Sequence, residues 1–327
     1  RALVAFFREC RFLWVSRRRV KSLDLLVVTG SNQFLDNFGG PWGFPYTLRK
    51  WTWLAWSAGV PVAYASVGAG PLDEKASFRL IHLALRKAKF LSFRDEPSRT
   101  LVDPDGRFKG KVFPDIAFAI DYPIQAQAPS YSDDYKPIVA INAMAVYDAR
   151  YWYIKDPVRY QAYVEKLTQF VQDLDARGYR PMLFATQVKD RNVIKDILDG
   201  LRGAGCGEDF VSTLYHEHNT VDDMLSFLQS TDIVVPTRFH GTVLGLWAGK
   251  PTIGICYYRK AADLLGEFGQ ERFAFDIDSV TVDKLNSAVD DAWSDHAAIA
   301  ERIEQQVVEY RKDLANQFTE FVALLPN

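Results

Sequence analysis

Arg238 and His240 stand two residues apart in Val235-Pro-Thr-Arg-Phe-His-Gly-Thr242. One is a permanent cation and the other titrates near neutrality. The apolar run Asp232-Ile-Val-Val235 before them reads as a buried strand. The run Gly241-Thr-Val-Leu-Gly-Leu-Trp-Ala248 after them, closed by Gly249, reads as a short helix. The pair therefore lies where a strand ends and a helix begins. Open α/β sheets bind ligands at such places, and helix starts favour anions. The pair suits an anionic substrate that must also gain or lose a proton. It equally suits a histidine and an ion-paired arginine that only brace the turn.

The elements that must hold the pair in place alternate. Strands are expected at Asp24–Val28, Val60–Ser66, Phe90–Phe93 and Val112–Phe113, with helices at Tyr46–Ser57, Ser77–Lys89 and from Glu96 to Leu101. A glycine-rich loop spans Gly30–Pro45. Tyr122 to Lys136 has no periodicity and reads as a linker. A second series follows, with strands at Ile138–Asn142, Pro181–Thr186, Ile233–Val235 and Thr252–Cys256. Its helices are expected at Val158–Arg177, Asn192–Leu201, up to Gln229, from Tyr257, at Asp283–Trp293 and at Ala297–Val322. Strand–helix alternation implies parallel sheets. The expectation is an α/β protein of two Rossmann-like, doubly wound domains facing a cleft, residues 1–128 and 137–327.

The 327 residues exceed the usual single core, and 48% apolar content is ordinary for a globular chain. A net charge of −2 points away from nucleic acid. Cys10, Cys206 and Cys256 are few, odd in number and far apart, as in a reducing compartment. No Cys/His group has ligand spacing, so no metal is expected; His216 and His218 read as parts of a solvated loop. Trp51–Gly70, the most apolar stretch, is broken by Pro61 and three glycines and does not read as a membrane span. The first 21 residues carry seven basic groups against Glu9, with Leu3, Phe6, Phe7, Phe12, Leu13 and Val15 between them. That segment reads as a surface helix packed on its own domain or as a peripheral contact with an anionic membrane. The chain opens on Arg1 rather than Met, so residues are expected to precede it.

Six pieces in this order resemble the polysaccharide pyruvyl transferase family: Gly30-Ser-Asn-Gln-Phe-Leu-Asp36, Ser66-Val-Gly-Ala-Gly70, Ser92-Phe-Arg-Asp-Glu-Pro-Ser98, Pro114-Asp-Ile-Ala-Phe118, Arg238-Phe-His-Gly241 and Ala248-Gly-Lys-Pro251. The first loop departs from the family's consecutive glycines, reading Thr29-Gly-Ser-Asn32. The resemblance implies a glycosyltransferase-B-like fold. It also implies transfer of a three-carbon unit from phosphoenolpyruvate to a sugar, usually as a cyclic ketal across two hydroxyls. Phosphoenolpyruvate is then a co-substrate, and no cofactor is expected. The acceptor belongs to a polysaccharide or its lipid-linked precursor, and the place of work is the cytoplasm or the inner face of the membrane.

That chemistry assigns the residues. Protonating the donor's methylene carbon makes the next carbon electrophilic, which requires an acid such as His240. Arg238 offers a fork for carboxylate or phosphate. Arg94, Asn142, Arg259 and Lys260 end strands or open helices and are further donor contacts, or else ion-paired and turn residues. The loop residues Ser31, Asn32, Gln33, Trp42 and Phe44, with Gly68, are the expected acceptor contacts; Asp36 is the candidate for taking the attacking hydroxyl's proton. The loop's rings, which include Phe34, Phe38 and Tyr46, could instead fold into the core, Gly68 could serve only a tight turn, and Asp115 reads as a turn residue. Two other functions fit the architecture: a nucleotide-sugar glycosyltransferase, with Arg238 and Lys260 on a diphosphate, and a non-catalytic scaffold in glycan assembly.

Overall fold

The computed structural model describes residues 2–122 and 134–325, with side chains from residue 7 onward. These form two compact units, Arg1–Ile120 with Glu309–Asn327, and Asp121–Val308. Most of the expected linker, residues 123–133, lies outside the described residues.

The first unit runs α1 (Ala2–Val20), β1 (Leu26–Val28), β2 (Asn32–Phe34), a 3-10 turn (Gly40–Trp42), α2 (Phe44–Ser57), β3 (Val62–Ala69), α3 (Lys75–Leu85), β4 (Phe90–Phe93), α4 (Glu96–Val102), β5 (Lys111–Val112) and a second 3-10 turn (Ile116–Ala119). All pairings are parallel, in the order β1-β3-β4-β5, with β2 on the far end of β3. All eight residues of β3 are buried, as expected of a central strand covered on both faces. The loop expected at Gly30–Pro45 contains β2 and the first 3-10 turn. Helix α2 begins two residues before the expected Tyr46, because Pro45 in a first turn lacks only an N–H that would have no acceptor there.

The second unit runs β6 (Ile138–Asn142), α5 (Pro157–Ala176), β7 (Arg180–Phe184), α6 (Asp190–Gly203), α7 (Glu208–Val211), α8 (Val221–Gln229), β8 (Ile233–Pro236), α9 (Phe239–Trp247), β9 (Gly254–Cys256), α10 (Arg259–Glu267), a 3-10 turn (Glu271–Phe273), β10 (Ala274–Asp276), α11 (Val282–Ser294) and the start of α12 (His296–Val322). The sheet is parallel in the order β7-β6-β8. The segment entering β9 joins β8 through Val234 N–H to Pro251 O and Ile253 N–H to Val234 O, both 2.9 Å, and β10 pairs with β9. Local signals set the helix starts. Asp156 accepts from Arg159 N ahead of Pro157 in α5, and Thr220 and Asp223 form a capping box on α8.

The final helix departs from the expected grouping. Residues 309–327 belong with the first unit, not with 137–308. Their anchor is Gln317, fully buried, whose amide donates to Ser66 Oγ at 2.8 Å and Ser92 Oγ at 2.7 Å. Ser92 Oγ in turn accepts from Ser66 N at 2.8 Å. Ser66 has φ 52°, and the register between β3 and β4 shifts between Tyr64 and Val67. The left-handed residue is a local irregularity of β3, and the glutamine satisfies the hydroxyls beside it. Phe318 and Phe321 pack with Ala63, Ala65 and Phe90. Replacing Gln317 by Leu strips the donor from two buried hydroxyls. The expected loss is about 1–3 kcal/mol of unfolding free energy, read as a lower urea midpoint. An unchanged midpoint would show that the tail is held by its phenylalanines alone.

Candidate functional site

Because β6, β7, β8 and β9 are parallel, their carboxyl ends share one edge of the second unit's sheet. Asn142 ends β6, α6 opens with Asp190 after β7, α9 opens after β8, and α10 opens with Arg259 and Lys260 after β9. Sheet topology thus gathers every donor-side candidate except Arg94 onto one edge.

Arg238 is the N-cap of α9, with an extended backbone (φ −83°, ψ 142°). Its side chain turns inward and is 9% exposed. Nε and Nη2 each meet an Asp190 oxygen at 2.5 Å, a side-on ion pair in which the aspartate is fully buried. Asp190 also accepts from Ala145 N at 3.4 Å. This corrects the expected donor fork. The fork is spent on Asp190, and of the three guanidinium nitrogens only Nη1 stands outside the pair.

His240 is exposed, in the first turn of α9, with its ring edge-on to Phe239 at 5.7 Å. Gly241 follows beneath it. A Cβ there would fall 2.7 Å from Asn142 Oδ1 and 2.9 Å from Pro236 Cβ, so only glycine lets α9 start this close to β6 and β8. Asn142 is fully buried. Its amide donates to Phe184 O at 3.1 Å, while Oδ1 has no hydrogen-bond partner. The asparagine's amide is thus turned to β7, with its Oδ1 close against Gly241 at the start of α9.

Sequence reasoning missed the supports. Tyr163 is buried on α5. Its hydroxyl lies 2.8 Å from Thr237 Oγ1 and accepts from Met144 N at 3.1 Å; burial pushes its pKa up to about 12. Tyr147 follows β6 with φ 62° and bonds Asp278, with Arg159 over its ring at 3.9 Å. Tyr153 and Tyr258 approach hydroxyl to hydroxyl at 2.9 Å, and Trp152 and Tyr257 meet edge to face at 5.4 Å. The runs Tyr151-Trp-Tyr153 and Tyr257-Tyr258 were the available signal, each a short stretch after a strand. Arg259 is exposed and pairs with Asp263 at 3.2 Å; Lys260 is half-buried. A separate concavity of 490 Å³ is lined by Ile138, Arg180, His216 and Phe227 among others. It lies by the first residues of β6 and β7, away from this edge.

The first unit gathers a smaller set. A Cβ on Gly68 would fall 2.7 Å from Arg94 Nη2 and 2.9 Å from Asn32 Oδ1, so the three residues meet where β3 ends. Asn32 donates to Gly70 O at 2.5 Å, Gln33 to Thr29 O at 3.2 Å, and Ser31 O accepts from Gly68 N at 3.0 Å. Arg94 is buried and pairs with Asp115 at 3.3 Å and Asp95 at 3.5 Å. Both aspartates also cap the turns they open, Asp95 on Ser98 N and Asp115 on Ala117 N. Arg94 thus carries the ion-paired arrangement that was the alternative to a donor contact. Asp36 is similarly engaged. It is 7% exposed, and its oxygens accept from Asp73 N and Glu74 N, which suits a brace and not a base. Phe34 is fully buried in the core, while Trp42 and Phe44 are exposed, Trp42 edge-on to Tyr46 at 5.6 Å. Among the described residues no group of three or more His, Cys, Asp or Glu side chains is placed to hold a metal ion, and no helix is long and apolar enough to cross a membrane.

The fold is shared with known enzymes. UDP-GlcNAc 2-epimerase from Methanocaldococcus jannaschii superposes with a TM-score of 0.53 at 13% identity, covering 85% of this chain and 73% of that one. Anabaena HepE in complex with UDP gives 0.55 at 14%, covering 94% and 82%. MnaA from S. aureus with UDP gives 0.52 at 12%, covering 97% and 82%. At these identities the likeness is one of fold: α/β with parallel sheets, as in glycosyltransferase-B-like proteins. No curated protein sequence matches the chain. The family pattern of polysaccharide pyruvyl transferases matches residues 4–258, a span that runs from α1 through both sheets and the Arg238–His240 turn to the start of α10. The chain belongs to the polysaccharide pyruvyl transferase family.

Proposed function

We infer that the chain forms a pyruvate ketal on a sugar, with phosphoenolpyruvate as donor and His240 as the acid. The observation that carries this is the contrast at the start of α9. His240 is exposed there, directly above a helix terminus braced by the buried Asp190–Arg238 pair and Asn142. An imidazolium so placed can deliver a proton while its backbone stays fixed. Donor phosphate and carboxylate would be met by the amino ends of α9 and α10, by Arg259 and Lys260, and by Arg238 Nη1. His240 gives its proton to the methylene carbon. A sugar hydroxyl adds to the neighbouring carbon and loses its own proton. A second hydroxyl of the same sugar then displaces phosphate and closes the ketal. Net, the acceptor gains pyruvate less one water, and inorganic phosphate leaves. Exposed Trp42 and Phe44 offer faces on which a sugar can stack. The polymer involved is read as an envelope or exopolysaccharide, and the site of work as the cytoplasmic face of the membrane. UDP bound in the HepE and MnaA structures keeps nucleotide-sugar transfer as the competing reading.

Incubating the protein with phosphoenolpyruvate or with UDP-sugars, then weighing the acceptor by mass spectrometry, separates the two. Gain of a pyruvyl unit with phosphate release supports the proposal; gain of a hexose overturns it. His240→Ala should keep the fold and lower turnover on the order of 100- to 10,000-fold. Retention of half the activity would remove histidine from the chemistry.

Arg238→Lys and Asp190→Asn each break the buried pair. Asp190→Asn, which removes one charge, should cost about 3–5 kcal/mol of unfolding free energy. Arg238→Lys, which keeps the charge but loses the fork, should cost less, and both should lower turnover. Unchanged stability in both would deny the pair its bracing role. Trp42→Ala should raise the acceptor KM by roughly tenfold, about 1.4 kcal/mol, and leave phosphoenolpyruvate affinity as it was. Acceptor saturation curves that match wild type would place the sugar elsewhere.

A further inference from the structure

Helix α1 has two opposed faces. Glu9, Phe12, Ser16 and Val20 turn toward its own unit, with Phe12 still 40% exposed. Glu9 accepts from Tyr46 Oη at 3.1 Å and from Lys50 Nζ at 3.2 Å, Phe12 meets Trp51 edge-on at 5.9 Å, and Ser16 and Val20 are buried. Phe7, Arg11, Trp14 and Arg18 recur at helical spacing on the opposite side. Phe7 is 62% and Trp14 58% exposed. Arg18 lies over the Trp14 ring, 3.9 Å from its centroid.

A helix that only covered its own unit would turn its largest rings inward. Here two rings point outward and alternate with arginines. Arg8, Arg11, Arg17, Arg18, Arg19 and Lys21 face only one acid in this segment, Glu9, and Glu9 is already paired with Lys50. The whole chain carries −2, so the positive charge is local. Aromatic rings that sit at headgroup depth, flanked by basic side chains, are the pattern of helices lying on anionic bilayers. A nucleic-acid duplex would be met by the cations but gives an outward Phe and Trp no apolar layer to enter.

We propose that the outward face of α1, carried by Phe7, Arg11, Trp14 and Arg18, docks the protein on an anionic phospholipid surface. The rings enter the interface while the arginines stay with the lipid phosphates. The proposal is independent of the chemistry assigned to His240, because none of these residues belongs to that site.

The test is co-sedimentation of the full chain with phosphatidylcholine vesicles that hold either no phosphatidylglycerol or about one third of it. Binding is expected to the anionic vesicles only, and to weaken as salt is raised. Phe7→Ser/Trp14→Ser and, separately, Arg11→Gln/Arg18→Gln should each reduce binding about tenfold with circular dichroism unchanged. An environment-sensitive dye on exposed Cys10, in a Cys206→Ala background, should shift to the blue on anionic vesicles, while buried Cys256 stays unlabelled. Failure to sediment overturns the proposal. So does full binding by both double variants, or binding to duplex DNA as strong as to the vesicles, which would make the face a general polyanion contact.

Discussion

The ion pair between Asp190 and Arg238 is the constraint on which the second unit's site depends. Both charges lie inside the protein, one fully buried and one nearly so. Desolvating them is costly, and only a side-on geometry with further hydrogen bonds offsets that cost. Two contacts of 2.5 Å and the amide of Ala145 supply it. The pair joins three segments that are remote in sequence: the loop after β6, the first residue of α6 and the cap of α9. Losing it would release the helix that carries His240 from the sheet edge that presents it.

The same pair changes where positive potential comes from. An arginine neutralised by a buried aspartate contributes little net charge to a ligand. What remains is the amino ends of α9 and α10, with Arg259 and Lys260 on the latter. Helix-terminal amides bind anions without side-chain ordering, and their direction is set by the fold. The buried cation thus fixes the geometry, and under the proposed function the helix ends and the side chains on α10 are left to meet the donor.

The fold was legible in the sequence because its central strands are almost wholly buried. Runs such as Ile233–Val235 and Ile138–Asn142 read as strands from composition alone, and their alternation with amphipathic helices implies parallel sheets. The motif at Arg238 was legible as well. Its partner was not, because Asp190 lies 48 residues upstream and looks like any acidic helix start. The partners of Arg94 and Asp36 were hidden for a related reason. A sequence shows that a charged group lies near a strand end, but not that its valences are filled by Asp115 or by the amides of Asp73 and Glu74. The last helix was misgrouped because a single buried amide, Gln317, decides where it docks. Tertiary pairing of polar groups was the hidden variable each time.

The spacing of Arg238 and His240 now has a structural reason. Residues two apart at a helix start point in roughly opposite directions, since each residue turns about 100°. The N-cap residue still has an extended backbone, and Arg238, which follows β8, reaches Asp190 at the start of α6 after β7. Two residues later the chain is helical and His240 faces solvent. Gly241 comes next because the turn between them sits hard against Asn142 and Pro236. A buried anchor, an exposed imidazole and a residue without a side chain therefore follow in that order along the turn. Moving the histidine by one position would turn it along the sheet edge, and exchanging it with the arginine would bury the imidazole and leave Asp190 without its guanidinium.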